Sequence, residues 1–446
     1  LSRATENKST KGESPERGLP KTFYNNFAFE FFNAIFWQSL GTPLLLFIRQ
    51  SGGSATIIGF TSALPLILMP LTIAASPLVE RLGYRKVAFS CWTARWMVCS
   101  TLIVLALIPD PTFDGWRVGL ALFILVLYHL TRNFGVSAFN PWITAIVPMR
   151  LRGLYLGRVS LFANLSSVLT YLSVGLILGN NPTLGSYAVV FTIAIIGGLV
   201  SSIFMSRITP PPRKTVFSAS SNVPKRNFWQ SVKRCFAQSG FKTFVIIQTF
   251  YGIAFFGVPS LSLIFMREKL GISPSFIMYF TMAGIIVTAL VANVWGSWID
   301  RYQSTMPVQT VAFGGLCVNS LLWLTLSELP PVLAIITNIM VMCLSATWIS
   351  ALNLSQTHSI MALAPEDDRV MFQNVALFIT YGSQALAPTI WGFILDWLQK
   401  FNLPIGFYDV GNYQVFYFSS FLIGLIGFSF LFRIWLKEKK FRPKDN

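Results

Sequence analysis

Apolar stretches long enough to cross a bilayer recur twelve times along this 446-residue chain. They cover about residues 24–48, 55–79, 87–108, 117–147, 157–179, 187–206, 243–265, 275–297, 308–326, 332–357, 373–396 and 413–435. Roughly 20 apolar residues carry a helix across the hydrocarbon core, so each stretch predicts one spanning helix. Between the sixth and seventh lies a polar segment, Arg207 to Lys242, with eight basic residues, no acidic one and the helix-stopping run Pro210-Pro211-Pro212. The expected plan is a polar tail (1–20), a six-helix bundle (21–206), a basic linker (207–242), a second six-helix bundle (243–436) and a basic tail (437–446). The fold class is thus an all-α membrane protein with twelve transmembrane helices in two pseudo-symmetric bundles.

The two halves share more than hydropathy. Ser76-Pro77-Leu78-Val79-Glu80-Arg81 is answered 220 residues later by Gly296-Ser297-Trp298-Ile299-Asp300-Arg301, and Pro148 with Arg152 by Pro365 with Arg369. A membrane protein made of repeats has a seam between them, and solute sites lie at such seams. Hydrophobic residues form 53% of the chain and charged ones 11%, against about 25% charged in a soluble domain.

The net charge of +17 would suggest nucleic acid if it were spread over the chain. Twelve spans instead put 27 Lys/Arg and 10 Asp/Glu on the face carrying both termini, and only five basic residues (Arg49, Arg117, Arg267, Lys269, Lys400) opposite six acidic ones on the other. The positive-inside rule makes the first face cytoplasmic, so topology explains the charge and nucleic acid is excluded as a partner. The expected setting is a multi-pass protein of the cytoplasmic (inner) membrane with both termini cytoplasmic.

Phe228 and Trp229 beside Lys225, Arg226, Lys233 and Arg234 make part of the linker either an amphipathic helix on the anionic inner leaflet or a solvated connection. Residues 1–20 have no apolar core and do not form a signal peptide. Cys91, Cys99, Cys235, Cys317 and Cys343 show no metal-ligand spacing and are expected to be reduced.

With span count, linker and repeats together, the chain resembles the major facilitator superfamily from about residue 21 to 436. That family's loop between the second and third helices carries Gly-x-Leu-Ala-Asp-Arg-x-Gly-Arg-Lys. Leu78, Glu80, Arg81, Gly83, Arg85 and Lys86 match it, with Ser76 for the first Gly, Glu80 for Asp and Tyr84 inserted; the second copy keeps Gly296, Asp300 and Arg301 but reads Tyr302-Gln303-Ser304 where the later Gly belongs. The resemblance implies that Glu80, Arg81, Asp300 and Arg301 latch the cytoplasmic side shut. Gly83, Arg85, Arg152 and Arg369 are further candidates. A carboxylate at a helix C-terminus opposes that helix's dipole and is better satisfied by a neighbouring helix N-terminus or an arginine. Ordinary positive-inside anchoring is the alternative for Arg81, Arg85 and Lys86.

Charge inside a span costs about 2.5–3.5 kcal/mol on insertion scales and needs a reason. Glu30, Arg95 and Arg132 are the cases. On the first span Asn26, Glu30, Asn33 and Trp37 fall on one stripe, and on the fourth His129, Arg132, Asn133 and Asn140 do the same. The depths of Glu30 and Arg132 allow an ion pair. Desolvation raises a carboxyl pKa and a nearby Arg lowers it, so solute binding at Arg132 would free Glu30 to carry a proton; a static pair holding helices is the alternative. Arg95, between Trp92 and Trp96, reads as a cation-π packing residue or one with a structural partner, not a solute contact. Arg132-Asn133-Phe134-Gly135 loosely resembles the family's fourth-helix Arg-Gly motif. In the second half Gln248, Tyr251, Asn338, Tyr381 and Gln384 are either solute contacts or interhelical glue.

The expected function is secondary transport of a small polar organic solute by alternating access, proton-coupled, with an acidic solute favoured by Arg132. The rivals are a drug or metabolite antiporter, and a transporter-like sensor or assembly factor that no longer transports. The fifth helix, Asn164 to Gly175, lacks the Gly-rich, proline-containing pattern of the family's drug-proton antiporters. No nucleotide loop, metal cluster or nucleophile-base pair appears, so neither enzyme activity nor a cofactor is expected, and the protein is expected to be a monomer. The sequon Asn7-Lys8-Ser9 falls on the cytoplasmic side.

Overall fold

A computed structural model describes residues 23–109, 113–148, 151–210, 228–326, 329–364, 369–405 and 408–441. The tail 1–20 with its sequon, Lys225 and Arg226, Pro211 and Pro212, and Pro365 lie outside the described residues, as do the side chains of Glu80, Arg152, Phe228 and Arg369.

Twelve passes are present. The first is α1 (Tyr24–Leu40) and α2 (Thr42–Gln50); the second α3 (Ala55–Ile67), α4 (Leu71–Ala74) and α5 (Ser76–Leu82). Then come α6 (Tyr84–Leu107), α7 (Asp114–Ile146), α8 (Arg152–Leu178) and α9 (Leu184–Ser206). After the linker helix α10 (Phe228–Ala237), the seventh pass is α11 (Phe241–Phe255) and α12 (Val258–Glu268), followed by α13 (Pro274–Tyr302), α14 (Met306–Thr325) and α15 (Pro331–Leu363). The eleventh is α16 (Arg369–Ala385) and α17 (Ala387–Trp397). A short antiparallel hairpin, β1 (Asn402–Ile405) and β2 (Tyr408–Gly411), pairs Leu403 with Val410 and leads into α18 (Asn412–Phe441).

Helices dominate because lipid leaves no other partner for backbone N–H and C=O groups. Among the described residues ten segments are long and apolar enough to span by length and composition, and the other two passes, the second and the eleventh, are interrupted. The second breaks after Pro65 in the turn at Leu68–Pro70, the eleventh at Leu386 before Pro388. The first and seventh passes are broken as well, at Gly41-Thr42-Pro43 and Gly257-Val258-Pro259. This Gly-x-Pro break recurs in both halves. A proline two residues on cannot donate into the preceding turn and so starts a new helix segment.

The linker helix packs one face on the second half and leaves Trp229 exposed. Val232, Cys235 and Phe236 pack with Phe241, Phe244 and Phe372 of the second half, so α10 docks on protein.

The halves meet unevenly. The largest apolar core contains residues of both halves, from Phe36, Leu44 and Phe47 to Leu261, Phe265 and Trp391. All of these lie toward the face opposite the termini, here called the far face. The other four cores, nearer the terminus face, are each confined to one half. The contacts across the seam repeat this bias: α3 packs on α17, α16 and α12, α8 on α13, and α2 on α12.

Candidate functional site: two polar clusters and a closed far face

The polar stripe of α1 is sorted by its neighbours. Phe31 and Gln38 face α8, where the Ser166 hydroxyl donates to the Phe31 carbonyl (2.6 Å) and the Tyr171 hydroxyl to Gln38 (2.9 Å). Phe32 stacks on Phe204 of α9. Asn26 is buried and donates to the Tyr155 hydroxyl of α8 (3.0 Å). Asn33 faces α6: its Oδ1 accepts from the Arg95 guanidinium (2.6 Å) and, more weakly, from Trp92 Nε1 (3.4 Å). Glu30 and the half-exposed Trp37 remain on the uncovered face.

Glu30 does not pair with Arg132. Asn33 lies on the same stripe one turn on, and Arg95, bound to Asn33, is the cation acting on Glu30. Asn33 Oδ1 is spent on Arg95, which holds the guanidinium beside the stripe that carries Glu30. Arg95 thus acts on the carboxylate through space, without an ion pair. Arg95 is buried, lies over the Phe36 and Trp92 rings (4.5 and 4.8 Å to the centroids), and supports the site. The sequence points to a cation-π or structural role for it, without naming Asn33 as the partner. Its register opposite Asn33 is a property of how α1 meets α6, which no local pattern reports.

Arg132 is half-buried and, among the described residues, has no carboxylate within ion-pair distance. Its charge acts on Arg95, Tyr128, His129 and, across the seam, Tyr381 of α16. His129 and Asn133 are buried one turn apart, each with a ring or amide nitrogen that has no hydrogen-bond partner among the described residues. Gly135 permits the close approach of α6, since a Cβ there would lie 2.4 Å from the Trp92 ring.

In the second half Gln384 Nε2 donates to Gln248 Oε1 (3.3 Å), both buried, so this pair ties the seventh pass to the eleventh. Tyr251 is buried in the apolar core of its own half, and Asn338 is fully buried. Tyr381 is half-buried and is the second-half candidate on which the charge of Arg132 acts.

On the terminus face the duplicated motif is not joined across the seam among the described side chains. Arg85 donates to the Ser206 carbonyl at the end of α9, within its own half. Arg81, Asp300 and Arg301 are exposed. Gly83 takes φ 84°, ψ 153° to turn from α5 into α6; at the matching place in the second copy Gln303 adopts φ 47°, the left-handed region, and donates back to the Asp300 carbonyl (2.6 Å).

The closure is on the far face. Asp396, at the end of α17, accepts from Ala55 N (3.0 Å), Thr56 N (2.8 Å) and the Thr56 hydroxyl (2.6 Å), capping α3 from the other half. Two glycines make the crossing tight: a Cβ on Gly59 would lie 2.0 Å from the Pro388 carbonyl oxygen, and one on Gly392 2.3 Å from that of Ala55. Beside them Arg49 of α2 and Glu268 of α12 form an ion pair across the seam, and Ser275 N donates to the Gly179 carbonyl (3.2 Å).

A sequence model of the Major Facilitator Superfamily matches residues 27–388. The chain belongs to this superfamily. Solved structures of superfamily transporters share its fold: a point mutant of the nucleoside transporter NupG (12% identity, TM-score 0.71, covering 92% of this chain and 99% of that one) and a D-xylose-proton symporter (14%, 0.70, 92% and 96%). A bacterial homologue of the human lysosomal transporter Spinster, inward-facing and unoccupied, aligns over 98% of this chain and 100% of its own at 15% identity and a TM-score of 0.66. No curated protein sequence matches significantly. This superfamily member is therefore an integral, multi-pass membrane protein with a transporter fold.

Proposed function

We propose that this protein is a proton-linked secondary carrier for a small polar organic solute bearing an acidic group, working by alternating access. The observation that carries the reading is the uneven seam: the halves share one core at the far face and keep separate cores elsewhere. Such a seam can open on one side while the other stays packed. If the positive face is cytoplasmic, the conformation is inward-facing.

Arg132 supplies the solute's counter-charge, with Tyr381 opposite it and Trp37 as an apolar wall. Glu30, on the same stripe as Asn33 and in the field of Arg95, is the proton acceptor. In this arrangement solute and proton are coupled through Arg95, which feels both Arg132 and Glu30. Motion of Arg132 toward a bound anion changes the field at Arg95 and so at Glu30.

The test is a solute-panel uptake assay in proteoliposomes, with and without a pH gradient, on wild type, Glu30→Gln and Arg132→Gln. Expected are gradient-driven accumulation in wild type and downhill-only transport in Glu30→Gln. Accumulation that ignores the gradient, or is the same in Glu30→Gln, refutes proton coupling; no flux of any solute favours a sensor.

A further inference from the structure

A polar cleft of about 650 Å³ lies on the far face over the seam, with walls from both halves. Arg49, Gln50, Asn181 and Tyr187 come from one half, Arg267 and Glu268 from the other. Two guanidinium groups and one carboxylate line it. Arg49 is committed to Glu268 and to the Gly53 carbonyl (2.6 Å), while Glu268 also accepts a long bond from the Tyr413 hydroxyl (3.4 Å). Arg267 is half-buried, acts electrostatically on Tyr187, and has no carboxylate within ion-pair distance among the described residues. The Gln50 amide is spent on the Pro182 carbonyl (3.0 Å), and Asp396, the other acid at this closure, on α3. The cleft lining therefore carries one uncompensated positive charge, on a planar donor fork suited to a carboxylate.

We infer that this cleft is a docking site for a small organic carboxylate arriving from the far side, bound first by Arg267 and then by Arg49 in place of Glu268. Exchange at Arg49 has a consequence that binding at an isolated surface arginine lacks. The Arg49–Glu268 pair bridges α2 and α12, the two half-helices set off by the repeated Gly-x-Pro breaks. A carboxylate that takes Arg49 leaves Glu268 without its partner and removes one of the contacts holding the far face shut. The anion thereby binds the open seam better than the closed one, which is the differential affinity a ligand needs to shift a conformational equilibrium. The inference rests on the far-face opening proposed above, and extends it by giving the solute a role in starting that opening.

The experiment measures spin-label distances between Gly185→Cys and Lys400→Cys, exposed far-face positions in the two halves, in the full chain with its five native cysteines replaced and reconstituted in nanodiscs. Sodium succinate is the probe, with choline chloride at matched ionic strength to separate binding from salt screening. The expected result is a population of longer distances that rises saturably with succinate and not with choline chloride, with a midpoint at least about tenfold higher in Arg267→Gln. Glu268→Gln should show the longer distances without succinate. Equal responses to the two salts, or an unchanged midpoint in Arg267→Gln, overturn the docking site alone. Short distances retained in Glu268→Gln overturn instead the role of the ion pair in closing the seam.

Discussion

Replacing Asp396 by Asn removes the charge that caps α3 from the opposite half while keeping the shape of the side chain. In the closed seam the carboxylate accepts three bonds, from Ala55 N, Thr56 N and the Thr56 hydroxyl, at a helix N-terminus whose dipole favours an anion. Bonds to a charged group contribute about 1.5–3 kcal/mol each. The full sum does not apply, because Asp396 is half-buried and water solvates the same groups when the seam opens. Asn retains one acceptor oxygen and turns an N–H toward a donor, so we expect a net loss of about 1.5–3 kcal/mol from the closed state, or roughly 10–100-fold in the closed-to-open ratio.

Hydrogen exchange of backbone amides reads this directly. Ala55 and Thr56 would lose protection for the trivial reason that their own acceptor is weakened. The informative amide is Ser275, on the other side of the seam, whose N–H bonds only to the Gly179 carbonyl (3.2 Å) and follows Pro274 at the start of α13. If Asp396 closes a seam that moves as one unit, exchange at Ser275 should accelerate about 10–100-fold with that at Thr56. Faster exchange at Ala55 and Thr56 with Ser275 unchanged would refute the reasoning, and reduce Asp396 to a local helix cap.

Other substitutions separate packing from charge. Gly392→Val should also open the seam, since its Cβ would sit 2.3 Å from the Ala55 carbonyl oxygen; uptake and Ser275 exchange measured together should shift as in Asp396→Asn. Asn33→Leu removes the acceptor of the buried Arg95 and should destabilise the first half by about 1.5–3 kcal/mol, seen as faster thermal inactivation in detergent. Gly83→Ala should cost about 1–3 kcal/mol, because φ 84° with ψ 153° is open to glycine alone, whereas Gln303→Gly should be neutral within about 1 kcal/mol, relief of the left-handed strain offsetting the lost bond to Asp300. Gln248→Leu or Gln384→Leu alone leaves a buried amide unpaired and should cost about 1–3 kcal/mol, while the double variant should cost less than the two together.

The passes were legible because lipid imposes one rule on every backbone group, and a rule so uniform leaves its period in the sequence. The breaks were less so. A hydropathy window averages over Gly41-Thr42-Pro43 and Gly257-Val258-Pro259, although their repetition was there to be read and marks the half-helices that carry Arg49 and Glu268. At the site the periodicity of α1 put Glu30, Asn33 and Trp37 on one stripe, but periodicity says which residues share a face and not which helix faces them. Arg95 on α6, not Arg132 on α7, proved to be the cation nearest that stripe's chemistry.

The closure shows the same limit in a more instructive form. Repetition drew attention to Glu80 and Asp300 on the terminus face, whereas the contacts that join the halves here, Asp396 on α3 and Arg49 on Glu268, are on the other face and are not repeated. A carrier that alternates needs two closures that are never made together, so one conformation displays only one of them. In the function proposed above, the terminus-face motif would supply the other. Motif symmetry points only to what both halves encode alike; the unsymmetrical closure, a half-exposed ion pair and a helix cap, becomes visible only when the chain is seen holding it.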